Sequence, residues 1–498
     1  MYFYYYLYGV ERVGLASGYR TFGGRDWFRE GAAAIINRLC ERDPDTGRVT
    51  VRRRIRGRGG SPVQVRQLAF GLMFLSRGRV PVAVNKLRAD DIAWNNRPRD
   101  AANLARWLSR ETEGAVNWQI VTLDGEPQDW LQAPMLYLAS HERLPWTPGD
   151  ETLGVPLQKL KRYLDLGGLL FAVNEGDGKA FGQSLQRAGS RMYPQHRWRA
   201  LPPDHWAYTL LWPVRGRRPA LRGLSNGLRD LIILSPARDL SATLQTRDED
   251  QPEFATAANI YLYASEMNRP RPRLASPPLA AGAQEGEGRA AALIVRASYD
   301  GNWKPEPLAL GAFAAAMAAG RGLDIRIADE PLAAIDALDP RPDLVIVSGI
   351  DALEFSTRQR LAVRAYVDAG GVILFETPGG RGPFTHAAEQ MCREIFHEAA
   401  GAQALLQTRI ITGEGLPGAE RLSRVEYRPF ALDAFGARET TPRLRGLSIE
   451  GQPRVLFSRQ DISNALLDQP CWGIVGYTAE SARALLGNIL QHAVASSD

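Results

Sequence analysis

Residues 160–181 read LKRYLDLGGLLFAVNEGDGKAF, and residues 363–384 read VRAYVDAGGVILFETPGGRGPF. The two align without a gap, so Tyr163, Asp165, Gly167, Gly168 and Phe181 recur as Tyr366, Asp368, Gly370, Gly371 and Phe384. In each stretch, apolar residues three or four apart predict a helix, a glycine pair ends it, and a short apolar run predicts a strand that empties into a Gly-rich turn. Upstream, APMLYLAS (133–140) and PDLVIVS (342–348) predict buried parallel strands. Downstream, LRGLS recurs at 221–225 and 444–448, and LIILSPARDLS (231–241) is answered by RVLFSRQDIS (454–463). Both copies close on a helix carrying Asn-Ile, at Asn259 and Asn488. An ordered series of matches of this length is the signature of an internal duplication of one α/β domain.

Composition bounds the remaining readings. A chain of 498 residues has the length for two to four domains, and 45% hydrophobic with 23% charged residues is ordinary for a soluble globular protein. Of the 61 basic residues only five are lysines, at 86, 159, 161, 179 and 304. Arginine together with abundant Ala and Gly reads as a bias spread over the chain, so the basic balance does not argue for nucleic acid. Arg52, Arg53, Arg54, Arg56 and Arg58 do cluster, most simply as a solvated hairpin. Cys40, Cys392 and Cys471 are too few and scattered for a disulfide framework or a zinc site. No apolar run approaches the roughly 18 residues of a membrane span. The aromatic first ten residues lack a basic n-region and a cleavage site, so the expectation is a cytoplasmic protein, or one of the cell envelope or periplasm if the true start lies upstream.

In chain order, residues 1–80 read as helical hairpins, with Asp26 at a helix N-cap position and Glu30 in the following turn. Residues 81–267 read as the first α/β domain, 268–290 as a Pro/Ala/Gly-rich linker, and 291–498 as the second α/β domain. Within the second domain, RVEYRPFAL (424–432) and PCWGIVGYT (470–478) read as further short strands.

Three resemblances join this reading. Through YYYLYGVERVG, SGYRTFGG and DWFREGA, the first 80 residues resemble the last repeats of the prenyltransferase and squalene-cyclase type α/α toroid, without the cyclase acidic motif or the prenyltransferase zinc ligands. From Lys86-Leu87, WNNRPRDAANL (94–104), Asn117-Trp118, APMLYLASH, RYLDLGG, Asp204-His205 and AANIYLYA (257–264), residues 85–267 resemble the uncharacterised bacterial domain of unknown function 4159. The strand and helix alternation, with right-handed crossovers, implies two tandem flavodoxin-like domains with mostly parallel sheets, similar to the class I glutamine amidotransferase-like fold. That likeness implies a nucleophilic cysteine on the turn after a core strand. Here the turn offers Asn174-Glu175 and Thr377-Pro378, while Cys392 falls a helix later and Cys471 on another segment, so amidase chemistry of that kind lacks its nucleophile.

Ligands of open α/β sheets sit beyond the carboxyl ends of the strands. Those ends collect His141, Asn174, Glu175, Asp177, His205, Ser235 and Asp239 in the first copy. His141, Glu175, Asp177 and His205 are candidate ligands of a divalent metal, the one cofactor the pattern allows. His141, Glu175 and His205 are equally candidate acids and bases. The plainer reading has both histidines bonding loop backbone and the acidic pair capping the next helix. In the second copy Gly349 stands for His141, and Glu376, Thr377 and Asp461 are the comparable polar groups. Scaffold residues thus recur while chemical ones do not. The reading is a non-catalytic binding or scaffolding protein for a protein, glycan or small ligand; the alternative is a metal-dependent or acid/base hydrolase with its site in the first copy.

Overall fold

Each α/β half begins with a strand buried on both faces, as in the middle of a sheet covered on both sides. The structure, a computed structural model, describes residues 2–44, 46–51, 62–146, 153–246, 251–275, 292–352, 354–398 and 401–496; the Arg52–Arg58 cluster lies outside these. The chain divides into two compact units, Met1–Tyr163 with Gly168–Leu224 and Ile232–Ser276, and Leu164–Gly167 with Ser225–Leu231 and Pro277–Asp498.

The first unit opens with helices α1 (Phe3–Ser17), α2 (Trp27–Leu39) and α3 (Pro62–Gly78), which bury Tyr4, Leu7, Trp27, Phe28, Ile35 and Phe74 in a core of their own. Gly23 and Gly24, at φ +57° and +78°, turn the two-residue hairpin loop ahead of α2. Asp26 caps α2 by accepting from the N–H groups of Phe28 and Arg29, as its position predicts. The strands follow: β1 (Val82–Arg88), β2 (Asn117–Thr122), β3 (Met135–Ser140), β4 (Leu169–Asn174), β5 (Trp198–Ala200), β6 (Arg222–Ser225) and β7 (Asp230–Ser235). Between and after them lie α4 (Asp100–Glu111), α5 (Val155–Asp165), α6 (Ala180–Met192), α7 (Leu240–Thr246) and α8 (Pro252–Ala264). The sheet order is β2-β1-β3-β4-β7-β6-β5, parallel from β2 through β7, with β5 antiparallel to β6. The edge strand β2 is not left bare, because Ile120 N–H donates to the Gly18 carbonyl at 2.6 Å. Of the segment expected as linker, residues 268–275 are described; Leu274 packs on the helical core and Arg273 lies over the Trp27 ring.

The second unit repeats the plan with β8 (Ala292–Ser298), β9 (Ile325–Pro331), β10 (Leu344–Ser348), β11 (Val372–Glu376), β12 (Gln403–Ala404), β13 (Arg445–Ile449) and β14 (Gln452–Ser458) in the order β9-β8-β10-β11-β14-β13-β12. Its helices are α9 (Ala309–Arg321), α10 (Thr357–Asp368), α11 (Phe384–Phe396) and α12 (Ala479–Val494). Ile294, Leu344, Ile346 and Leu374 face one core, while Val295, Val345, Val347 and Phe375 face the other, as the two-residue period of strands demands.

The fold is therefore α/β with two tandem seven-stranded, mostly parallel sheets and a short helical segment ahead of them. The duplicated residues do duplicate work. Gly167 and Gly370 sit at φ +100° and +93°, and a Cβ on Gly168 or Gly371 would strike the ring of Tyr163 or Tyr366 within 2.5 Å. One glycine supplies the turn and the next supplies room for a tyrosine whose hydroxyl donates to the Leu169 or Val372 carbonyl. Two expectations fail. Residues 424–432 hold no strand, because Pro429 opens the helix Pro429–Phe435, where its missing N–H costs nothing. Residues 470–478 contribute only isolated bridges, Tyr477 to Tyr427 and Gly476 to Asp461. Among the described residues no helix is long and apolar enough to cross a membrane.

Candidate functional site

In the first sheet the chain runs from β1 to the edge strand β2 and then back to β3 on the other side of β1, so the order switches direction between β1 and β3, where open α/β sheets place their ligands. The loop after β1 carries Trp94, Asn95, Asn96 and Arg97. Side-chain bonds hold that loop at both ends. Lys86, in the middle of β1 and 1% exposed, donates to the Arg97 carbonyl and to the buried Asp100 carboxylate, each at 2.6 Å. Glu142, after β3, accepts from Ala93 N–H at 2.7 Å, and Asp91 accepts from the Trp146 indole at 2.6 Å. Burial pushes the Asp100 carboxyl up, opposed by Lys86, and pushes the neighbouring Tyr137 hydroxyl up further with help from Asp100 and Glu175. Losing either member of a buried pair such as Lys86 and Asp100 strands a charge, at about 3–5 kcal/mol.

On this base sits the cluster itself. The Asn96 side-chain amide donates to Glu175 Oε2 at 2.6 Å, meets His141 Nδ1 at 3.1 Å, and lies 3.0 Å from the Ala93 carbonyl. On the other side, the Ser241 hydroxyl lies 3.1 Å from Glu175 Oε1 and 2.5 Å from Asp239 Oδ1. A single hydroxyl proton serves only one of these at a time, so Ser241 is shared between the two carboxyl groups. Burial, with Glu175 only 3% exposed, raises its pKa; Asn96 and Ser241 oppose this while Asp239 and Asp100 add to it. Arg97 lies 3.3 Å from Asp239 Oδ2. Asn96, His141 and Asp177 are exposed at the rim.

The remaining expected residues are placed otherwise. Asn174 accepts from Gly182 N–H at 2.9 Å and fastens the start of α6, Ser235 donates to the Arg238 carbonyl at 2.7 Å, and Asp239 accepts from Gly176 N–H at 2.9 Å and from Ala242 N–H at 2.9 Å. Helix α6 is thus anchored by Asn174 rather than capped by the acidic pair Glu175 and Asp177. His205 stands at the N-terminus of the short helix Trp206–Thr209, where Nδ1 accepts from Ala207 N–H at 3.2 Å and the ring lies 6.3 Å from that of Tyr263. The loop of residues 201–221 joins the end of β5 to the start of β6 at the carboxyl end of the sheet, where its Arg217 carbonyl accepts from Arg238 Nη1 at 2.8 Å. The expected metal set of His141, Glu175, Asp177 and His205 is not assembled: among the described residues no group of three or more His, Cys, Asp or Glu side chains is arranged to hold a metal ion.

The second copy shows what is scaffold. Thr377 accepts from Thr385 N–H at 3.1 Å as Asn174 does from Gly182, and Asp461 accepts from Gly379 N–H at 2.8 Å as Asp239 does from Gly176. Asp461 also caps the helix Ser463–Leu466, accepting from Asn464 and Ala465. Glu376 is 1% exposed and spends its oxygens on Ile462 N–H, Ser463 N–H and the Ser463 hydroxyl, at 2.6 to 2.8 Å. Burial, then the Asp461 charge, push Glu376 up to about 7. Cys392 is fully buried in α11, where burial pushes its thiol up and away from the nucleophilic thiolate.

Asn96, Arg97, Ser241 and the Lys86–Asp100 pair complete the first-copy cluster, and sequence reasoning does not single them out as site residues. The one signal for Asn96 and Arg97 is the polar run WNNRPRD soon after an apolar strand. Against known proteins, no curated relative matches the chain. Residues 83–263, which carry β1 through most of α8 and every residue of this cluster, match the family described as Domain of unknown function (DUF4159).

Proposed function

We propose that the protein is a non-catalytic binding or scaffolding protein built on two degenerate amidotransferase-like domains, with its ligand seat on the rim formed by Asn96, Arg97, His141, Glu175 and Asp177. The observation that carries this reading is the strand-end turn itself. Its residues Asn174 and Asp239 are committed to backbone N–H groups, with Thr377 and Asp461 committed in the same way in the second copy. What remains in the first copy is a set of hydrogen-bond donors and acceptors around a buried carboxyl whose pKa is raised by that burial, suited to a neutral, hydroxyl-rich partner such as a glycan or polar metabolite. The helical segment ahead of the first sheet, read as related to α/α toroid repeats, exposes Tyr2, Tyr5 and Tyr6, which suits a protein partner.

A second reading is favoured by one observation, the raised Glu175 carboxyl joined to His141 through Asn96, which is an arrangement for acid/base hydrolysis. One experiment separates the two. The whole protein is tested by saturation-transfer NMR against glucose, galactose and N-acetylglucosamine, and in parallel for turnover of nitrophenyl glycosides, esters and amides. Saturation transfer to a sugar that disappears in Asn96→Ala, with no turnover, supports the binding reading. Saturable turnover abolished by Glu175→Gln or His205→Ala overturns it.

A further inference from the structure

The antiparallel margin of the first sheet carries a cleft of about 700 Å³ lined by Gln186, Arg187, Arg191, His196, Arg197 and Arg222 among others, and by no carboxylate. Its floor is built by Gln186, whose carbonyl accepts from the Trp198 indole at 3.0 Å, and by Arg222 of β6, whose Nε is buried without a hydrogen-bond partner among the described residues. A buried guanidinium nitrogen left without an acceptor is costly unless something supplies one.

The second copy shows what the first lacks. Arg445 occupies the place of Arg222 in the repeated LRGLS, and its Nε is buried without a partner in the same way. Yet its guanidinium donates through Nη2 to Glu389 Oε1 at 2.9 Å, while Arg459 reaches Glu389 Oε2 at 3.1 Å. Carrying the gapless alignment five residues past Phe181 and Phe384 sets Glu389 opposite Gln186. Where one copy has an internal carboxylate for its arginine, the other has a neutral amide, further arginines and an open cleft.

We propose that this cleft binds a small oxyanion of phosphate chemistry carrying two or more negative charges, which takes the place that Glu389 fills in the second copy. Planar guanidinium forks match phosphate oxygens in pairs, and a volume of this order holds a ligand of nucleotide size. The site shares no residue with the strand-end cluster, so the two stand or fall separately.

The test is calorimetric titration of the full chain with inorganic pyrophosphate at about 50 and about 150 mM NaCl. The expected result is one saturable site per chain that weakens with salt, and weakens about tenfold or more in both Arg222→Gln and Gln186→Glu. The second substitution restores the carboxylate of the other copy and leaves the arginines in place, so it reads the site even if Arg222→Gln fails to fold. Absence of saturable binding overturns the proposal, as does a folded Gln186→Glu that binds like the parent. Tight binding of a single-stranded oligonucleotide that pyrophosphate does not displace would replace it with a polymer site.

Discussion

Glu376 and Glu175 show how one kind of residue does opposite work at one kind of place. Both lie at the carboxyl end of the fourth strand of their sheet and both are pushed above the ordinary carboxylate range, first of all by burial. Glu376 gives its oxygens to backbone and serine of its own unit, whereas Glu175 faces Asn96 and, through it, an exposed histidine. The raised value of Glu376 sets the sign of a pH effect. The folded state holds a proton up to about 7 and the unfolded chain loses it near 4.5, so the stability from that proton is fully present below 4.5 and is lost as pH rises toward 7. Glu376→Gln keeps an oxygen for the Ile462 and Ser463 N–H groups, and urea melts between pH 4.5 and 7 should show a flatter decline than the parent. An unchanged slope would mean that Glu376 is not the group titrating.

At the scale of elements, the two copies are fastened by matching side-chain staples. Asn259 on α8 accepts from Leu211 and Trp212 N–H and donates to the Trp212 carbonyl at 2.8 Å. Asn488 on α12 accepts from Glu420 N–H and donates to the Ile410 and Glu420 carbonyls at 2.8 and 2.7 Å. Each replaces the backbone partners that a long connection lacks once it leaves the sheet. Asn259→Ala and Asn488→Ala should each cost about 2–4 kcal/mol in denaturant melts, because several buried backbone groups lose partners at once. Hydrogen exchange should localise the loss to residues near 207–212 in the first case and 410–420 in the second. These staples are legible in the sequence because they recur, and recurrence marks what the fold needs. What the sequence does not show for His205 is its bonding: nothing in the local pattern tells that Nδ1 accepts from the Ala207 N–H at the start of a short helix.

For the whole molecule, the lack of an assembled donor set among the described residues leads to a direct measurement. Elemental analysis and thermal melts before and after chelation should show no stoichiometric Zn, Mn or Fe and an unchanged melting temperature. A metal lost together with stability, and abolished by His141→Ala, would restore the metal-dependent hydrolase reading.

Sequence alone determined the duplication, the α/β class with its mostly parallel sheets, and the residues that turn and staple each copy, because these depend on short-range rules: helix and strand periods, glycine conformations, caps. Tertiary structure alone decided which polar residues meet. Asn96 and Glu175 lie 79 positions apart, and Glu175 and Ser241 lie 66 apart, and they touch because the order β2-β1-β3-β4-β7 sets the ends of β1 and β4 on either side of β3 and the end of β7 next to β4. The same holds for the arginine cleft. In the sequence its arginines are lost in a chain-wide bias, and only the packing of α6 against β5 and β6 shows that one copy has a carboxylate there and the other an opening.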